Sequence, residues 1–594
     1  MTKIHSFHIP VMGIGFTIDS PLKVAHFGID SVISLVDDIL LEKLRKMYCQ
    51  KFEQSYDEIS EKIDDFRAKR ITSYLDLIHN LAHKNIEKLK NTTATSEIVK
   101  YFSMLPDSLS VKREFNKLIN DGLGFEDIKD WLKENIHLGS IDVNIMTKVD
   151  KENYANKEKL PSTYNDAHAA LRGFANSKLS SSVILSAGMN PRLYSYMENF
   201  KDFYPDEYGY IKKKIVLKVS DYRSALIQGK FLAKKGLWVS EYRIESGLNC
   251  GGHAFATDGY LMGPILEQFK TEKENLIQTT HQVFIKALEQ KKIALPKTTL
   301  PIKITAQGGV GTAEEHNFLL DYYKVDSVGW GTPFLLVPEA TTVDNKTLDS
   351  LIKAKEEDLY LSNISPLGIP FHNLKGNTKD DEKFKNIAKG RPGSACPKKF
   401  VALNKEFKTS GVCTASREYQ HLKIKELEAL NLSKEKHAYH LNKIIEKSCT
   451  CVGLGTSALI AYGLDTKTEG SGVSVCPGPN MAYYDKSLDL ATMINHIYGK
   501  TNVISRTDRP NMFIKELNIY IEYLYNYCKD LEVTTSKKQE KYALTFAHNL
   551  REGIGYYQNL FNDNTFIKKQ LSDALILLKE IELNINTFEL NTAS

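Results

Sequence analysis

The feature that most limits what this chain can become is a pair of short apolar runs that each stop at glycines: residues 302–311, IKITAQGGVG, and residues 325–340, VDSVGWGTPFLLVPEA. A helix-like stretch, 312–323, separates them, so together they read as a β-loop-α-β unit whose strand ends offer bare backbone N–H groups side by side. In a parallel α/β barrel this is where the last two strands make a phosphate site, because glycine lets the backbone approach an anion closely and a helix N-terminus adds a favourable dipole. The first functional expectation is therefore a cofactor that carries a phosphate.

Similar runs recur upstream. Residues 7–12 end at Gly13, 31–36 end at Asp37, 141–146 follow Gly139 and Ser140, 182–187 end at Gly188, 214–219 end at Ser220, and 236–242 lead towards Gly247. With the opening pair they make eight, and several precede a stretch opened by a helix-capping residue, as Ser220 before 221–235 and Thr312 before 313–323. Eight strands alternating with helices predict an α/β fold, a (β/α)8 TIM barrel with its site on the loops after the strands. Between the second and third runs lie about a hundred residues of charged helical pattern, including 39–54, 56–89 and 125–136. They predict a large helical insertion after strand 2, placed over or beside the mouth of the site as a lid, a subunit contact or a passive bundle. Beyond residue 376 the rhythm stops, and a C-terminal mainly helical domain is expected. The predicted division is 1–36 with 138–376 as barrel, 37–137 as insertion and 377–594 as the helical, cysteine-containing remainder. Aromatic stripes there, such as 519–527, IYIEYLYNY, read as core.

Composition narrows the partners. At 594 residues more than one core is expected, and 42% hydrophobic with 25% charged residues is a globular balance. A formal net charge of +5 is small beside 78 basic and 73 acidic side chains, so no nucleic-acid surface is implied, and the basic run 212–214 reads as a solvated strand edge. The start, MTKIHSFHIPVMG, lacks a charged segment followed by a long apolar core, and no apolar run nears a membrane span, so a cytoplasmic protein without membrane contact is expected. Its partner is a small-molecule substrate, and a homo-oligomer remains open.

A third motif follows the sixth run: GLNCGGH, 247–253. His253 after two glycines can project an imidazole inward at the rim of the barrel, where an ordinary pKa of about 6.5 suits proton transfer. A structural histidine bonded to a loop carbonyl is the alternative. Lys218, at the end of the fifth run among apolar neighbours, needs an anionic partner, for which the expected cofactor is a candidate.

IPVMGIG at 9–15, VNIM at 143–146, GLNCGGHAF at 247–255, TAQGGVG at 305–311 and VGWGTPFLLVPEA at 328–340 together resemble the nitronate monooxygenase family of FMN-binding barrels, a superfamily shared with flavin-dependent enoyl-acyl carrier protein reductases. Residues 359–375, LYLSNISPLGIPFHNLK, resemble the family's stretch after the last strand, with Gly-Ile-Pro for the usual Gly-Arg-Pro. The resemblance covers about 1–376 without the insertion. It implies that Gly308, Gly309, Gly331 and Thr332 hold the FMN phosphate, that Met12 and Asn144 touch the isoalloxazine, and that His253 is the catalytic base. It further implies an oxidoreductase in which His253 removes an α-proton while flavin accepts electrons. The rival is an NAD(P)H-dependent reductase of an enoyl thioester-type substrate, and a non-catalytic barrel acting in binding or assembly is a third reading. Two departures bear on substrate choice: Asn249-Cys250 stands where the family usually has Glu-Ala, and Pro10-Val11-Met12 replaces Ala-Pro-Met.

Six of the eight cysteines fall after residue 376. Cys528 sits in a helical pattern, whereas Cys396, Cys413, Cys449, Cys451 and Cys476 mostly stand beside Pro, Gly or Ser in loop-like sequence that could converge around an iron–sulfur or zinc site. Their spacing fits no zinc ribbon, zinc finger or ferredoxin pattern, so unconnected thiols are the other reading. A cluster here would relay electrons to or from the flavin.

Overall fold

A computed structural model describes residues 4–92, 95–186, 188–531 and 536–592. Eight parallel strands form one sheet: β1 (Phe7–His8), β2 (Ser31–Ser34), β3 (Ile141–Met146), β4 (Ser181–Ser186), β5 (Lys213–Val219), β6 (Val239–Glu245), β7 (Lys303–Gln307) and β8 (Ser327–Gly329). Neighbours run β1-β8-β7-β6-β5-β4-β3-β2, all parallel, and a bridge from Ile9 to Ser31 brings the two edges together as a nearly closed barrel. The expected (β/α)8 architecture is thus present: β3 coincides with its apolar run, β5 begins one residue before its own, and the other strands are shorter than or shifted by a few residues from theirs. Ala187, expected to finish the fourth strand, lies outside the described residues.

Strand periodicity sorts the side chains. In β3, β5, β6 and β7 one alternate set (Val143 and Ile145, Leu217 and Val219, Tyr242 and Ile244, Ile304 and Ala306) joins the main core between sheet and helices. The other set points into the barrel, as period two requires. At its N-terminal end this inner set is charged, with Arg243 2.7 Å from Glu241. Above it, Val32, Ile184 and Val216 form a small apolar plug. Asn144, Lys218, Glu245 and Gln307 follow at the C-terminal end.

Caps explain where the helices begin. Thr312 accepts from the Glu315 N–H as expected, opening Ala313–Asp321. The helix after β5, Tyr222–Ala233, is capped by Asp221 rather than the expected Ser220, its carboxylate accepting from Ser224 N at 2.6 Å. Aspartate at an N-cap also meets the helix dipole, which serine does not.

The insertion contains α1 (Asp38–Lys51), α2 (Phe66–Lys90), α3 (Thr95–Met104), α4 (Ser110–Asn120) and α5 (Lys129–Asn135). It does not cover the mouth of the barrel. Helix α2 packs instead along the side, against α6 (Asp166–Ala175), and none of residues 37–137 lines the cavity described below. The reason is local: Gly173 of α6 brings the two helices so close that a Cβ there would stand 2.8 Å from Ile71 Cβ and 2.9 Å from the Ala68 carbonyl.

After β8 come a two-stranded hairpin, β9 (Leu359–Ser362) with β10 (Phe371–Leu374), and helices that include α7 (Thr450–Ala461), α8 (Met512–Leu531) and α9 (Lys537–Leu560). Their apolar faces share one continuous core with the barrel and the insertion. Asp19, fully buried, ties these parts: it accepts from Tyr48 of α1, from Thr342 after β8 and from Tyr462 after α7. No single described helix is long and apolar enough to cross a membrane.

Alanine in a helix interior gains about 1 kcal/mol over glycine, whereas overpacking a tight contact costs about 1–3 kcal/mol. With backbone and a β-carbon as the obstacles at Gly173, crowding wins. Gly173→Ala should lower the thermal midpoint by several degrees; an unchanged or raised midpoint would show that α2 is not clamped on α6.

Candidate active site

A cavity opens at the C-terminal ends of the strands. One wall is apolar and comes from the loop after β1: Pro10, Val11, Met12 and Ile14. Leu335, Leu367, Phe371 and Val401 supply further apolar lining, and Asn144, Ser186, Lys218, Glu245 and Gln307 make the polar floor. Of the residues singled out in the sequence, Met12, Asn144, Lys218, His253, Gly331 and Thr332 all line this space.

Gly308 and Gly309 do not. Both have positive φ, +108° and +86°, which glycine alone tolerates easily, but a Cβ on Gly308 would meet Ser246 and Cys250, and on Gly309 the Asn249 amide at 2.0 Å. The loop after β7 is closed off by the chain itself. Asn480 and Arg509 donate to the Gly309 carbonyl at 2.7 and 2.8 Å, and Arg509 pairs with Glu315. Glu315 in turn accepts from Gly311 N at 2.8 Å. The helix N-terminus expected to face an outside anion therefore already holds an internal carboxylate. Beside it, Gly478 N donates to Thr332 Oγ1 at 2.9 Å, placing the segment 476–480 between the glycine loops after β6 and β8.

Lys218 has its anion from the protein. Its Nζ lies 2.7 Å from Glu245 Oε2, and the other carboxylate oxygen accepts from Cys250 Sγ at 2.9 Å and Gln307 Nε2 at 2.7 Å. Burial raises the Glu245 pKa, yet Lys218, Cys250 and Gln307 outweigh it and hold the carboxyl below its ordinary value. Burial and this neighbouring carboxylate push the Cys250 thiol well up, so it stays protonated and is a poor nucleophile. Glu245 thus returns a carboxylate to the site that the Asn249-Cys250 departure had removed from the motif. Counting by twos from Glu241 and Arg243 along β6 would have found it.

His253 Nε2 lies 2.7 Å from Ser365 Oγ, which also accepts from Leu367 N, and its ring meets Phe371 edge-on at 5.0 Å. Backbone pairing with β10 fixes the strip: His372 N donates to the Gly252 carbonyl and Ala254 N to the Pro370 carbonyl. Burial lowers the His253 pKa to about 4, so the imidazole is neutral at ordinary pH.

The loop after β6 is held from behind by α8. Ser246 Oγ and Met262 N donate to the two oxygens of Glu516 at 2.5 and 2.9 Å, and Asn249 Nδ2 donates to Met512 O. Asn249 Oδ1 and Gln307 Oε1 are buried without a protein partner.

The cysteines separate into groups. Cys396, Cys413, Cys449 and Cys451 lie together, as detailed below, whereas Cys476 stands beside Cys250 in the cavity wall, its thiol pushed up to about 12 by burial. All eight are free thiols. Among the described residues, no three His, Cys, Asp or Glu side chains converge on a single metal ion.

No protein-family model and no curated protein matches the chain. Among solved structures, it is similar to the enoyl reductase domain of MlnA from the macrolactin biosynthesis cluster of Bacillus amyloliquefaciens, at 15% identity and a TM-score of 0.33, over 69% of this chain and 89% of that one. FabK from Thermotoga maritima gives 14% identity and a TM-score of 0.30, over 68% and 85%. Nitroalkane oxidase from Streptomyces ansochromogenes gives 11% and 0.28, over 64% and 84%. At these values the likeness carries nothing about activity.

Burial pushes Glu516 up to about 7 from an ordinary value of 4.5. The folded state then holds a proton that the unfolded chain has lost, so stability falls as pH rises from about 4.5 to 7 and levels off above. The drop is on the order of 3 kcal/mol. Glu516→Gln should flatten this part of the pH profile; parallel profiles for the two proteins would remove Glu516 as its source.

Proposed function

We propose that the barrel cavity binds FMN and that the protein is a flavin-dependent oxidoreductase. The observation that supports this is convergence: Met12, Asn144, His253, Gly331 and Thr332, from motifs spread over more than half of the chain, line one space with an apolar wall and a polar floor. That is the chemistry a flat heteroaromatic ring with a polar edge requires. The partnerless Gln307 Oε1 and the open space above Gly252, where a Cβ would touch nothing, fit a bound polar ligand. Met12, Asn144, Gly331 and Thr332 would hold it, with Lys218, Glu245 and Gln307 as further polar contacts. FMN bound there would supply a two-electron acceptor.

The residues of the chain would do the proton chemistry. In the tautomer whose Nε2–H donates to Ser365 Oγ, His253 Nδ1 carries the lone pair and can take a proton from a substrate carbon next to an electron-withdrawing group. A neutral imidazole suits a proton acceptor better than a donor, which favours abstraction from a small acidic carbon over delivery to an alkene. Ser365 fixes the ring, Lys218 balances Glu245, and Cys250 stays a thiol.

Purified protein should be yellow, and the flavin-free form should take up FMN stoichiometrically and not FAD; failure to bind FMN overturns the proposal. Anaerobic bleaching by NADH or NADPH would reverse the direction of electron flow to that of a reductase.

His253→Ala should retain FMN and lose roughly 10²–10⁴-fold in turnover of a substrate with an acidic C–H. Because the neutral form is the active one, the wild-type rate should be flat through neutral pH and fall as pH drops through about 4. Unchanged turnover in the variant, or an acid limb near the ordinary histidine value, would return His253 to a structural role.

A further inference from the structure

We propose that Cys396, Cys413, Cys449 and Cys451 ligate an iron–sulfur cluster beside the barrel cavity. The site stands whether or not that cavity holds a flavin.

The four thiols form a chain: Cys413 packs on Cys396, Cys396 is hydrogen-bonded to Cys449 and Cys449 to Cys451, with Cys413 in electrostatic reach of Cys451. All four are buried, between 2% and 5% exposed. They come from the loops of Cys396 and Cys413, which backbone bonds sew together, and from the start of α7, where Cys449 and Cys451 stand. Ser394 N donates to Ala415 O at 3.0 Å and Arg417 N to Ser394 O at 2.9 Å, while Ser448 N donates to Ile364 O at 2.9 Å. Cys396 itself has φ +51°, a strained value for a side-chain-bearing residue, and it turns back on this group.

Hydrophobic burial does not account for the Cys396–Cys413 half of the nest. These two pack only with Ala402 and Ala415, apart from the main core that Cys449 and Cys451 join. Four such small side chains contribute little against the entropy of ordering irregular loops. Ligation by a bound group would contribute what packing does not.

Four thiolates are a ligand set that iron–sulfur clusters and structural zinc share. Among the described residues no three His, Cys, Asp or Glu side chains converge on a single metal ion, whereas a cluster brings its own iron and sulfide atoms and shares the four thiolates among its irons. Lys379 acts on Cys449, while Lys398, two residues from Cys396, is taken up by Asp37 and Glu469 at 2.6 and 3.2 Å. On one side Cys396 and Cys413 line an outer cleft; on the other, Cys451 lines the barrel cavity.

The test uses the full chain, expressed and purified without oxygen, then stripped of flavin and reconstituted with ferrous iron and sulfide. Iron and acid-labile sulfide should bind in equal amounts, and dithionite reduction should give an electron paramagnetic resonance signal. The double variant Cys449→Ser, Cys451→Ser should lose both metal and signal, while Cys49→Ser and Cys528→Ser, buried elsewhere, should keep them. If the double variant fails to fold, alkylation of the wild type read by mass spectrometry decides. The four cysteines should be protected together and become reactive together after iron chelation. Wild-type protein that takes up no iron, that binds zinc without sulfide, that forms a disulfide among these four, or whose iron survives in the folded double variant overturns the proposal. FMN uptake is scored separately, so failure to bind one group does not count against the other.

Discussion

The cavity depends on one constraint: the loop after β6 is held from outside the barrel. Ser246, Asn249 and Met262 are each tied to α8, through Glu516 and the Met512 carbonyl, across about 270 residues of sequence. Gly247 lies so close to this helix that a Cβ would stand 2.5 Å from Tyr520 OH. Once the loop is fixed there, Gly252 and His253 pair with β10 and Cys250 falls beside Glu245. Without α8, an irregular loop containing four glycines would have little to define it. The helices after residue 376 are in this sense part of the site rather than an addition to it.

Charge is handled consistently inside the barrel. Several buried ionic groups have a partner of their own: Glu241 with Arg243, Glu245 with Lys218, Glu315 with Arg509, Asp37 with Lys398. Pairing is required because an isolated buried charge costs far more than folding provides. Groups without a strong ionic partner are neutral instead, as His253, Cys250 and Cys476 are. The cavity thus offers a balanced ion pair on its floor and uncharged groups on its rim, an environment suited to binding a polar but flat ligand.

Much of the barrel was legible because strands ending at glycine or at a capping residue are local signals. The runs around β3 and β5 match their strands to within a residue. Met12, Asn144, His253, Gly331 and Thr332 were legible as candidates from short motifs, and their convergence on one cavity is a matter of topology that the eight-strand count implies. Glu245 was missed although it stands on the same strand face as Glu241 and Arg243, a period-two signal present in the sequence. The closure over Gly309 by Asn480 and Arg509, the hold of Glu516 on Ser246 and the contribution of Thr450 and Cys451 to the cavity could not be read, since nothing local couples residues 170 to 270 apart. The side-on seat of the insertion turned on a single glycine in a helix, Gly173, whose local meaning is only a weak helix former.

The order in which parts of the cavity appear has a consequence for synthesis. A chain leaving the ribosome completes β8 by Gly329, but the segment around Thr450 and Cys451 and the helix that holds the loop after β6 follow more than a hundred residues later. Domains tend to fold from the N-terminal side as they emerge. The barrel therefore has an interval with its strands assembled and its mouth unroofed. A ligand too large to pass the finished wall would have to enter in that interval, before the later helices close over it.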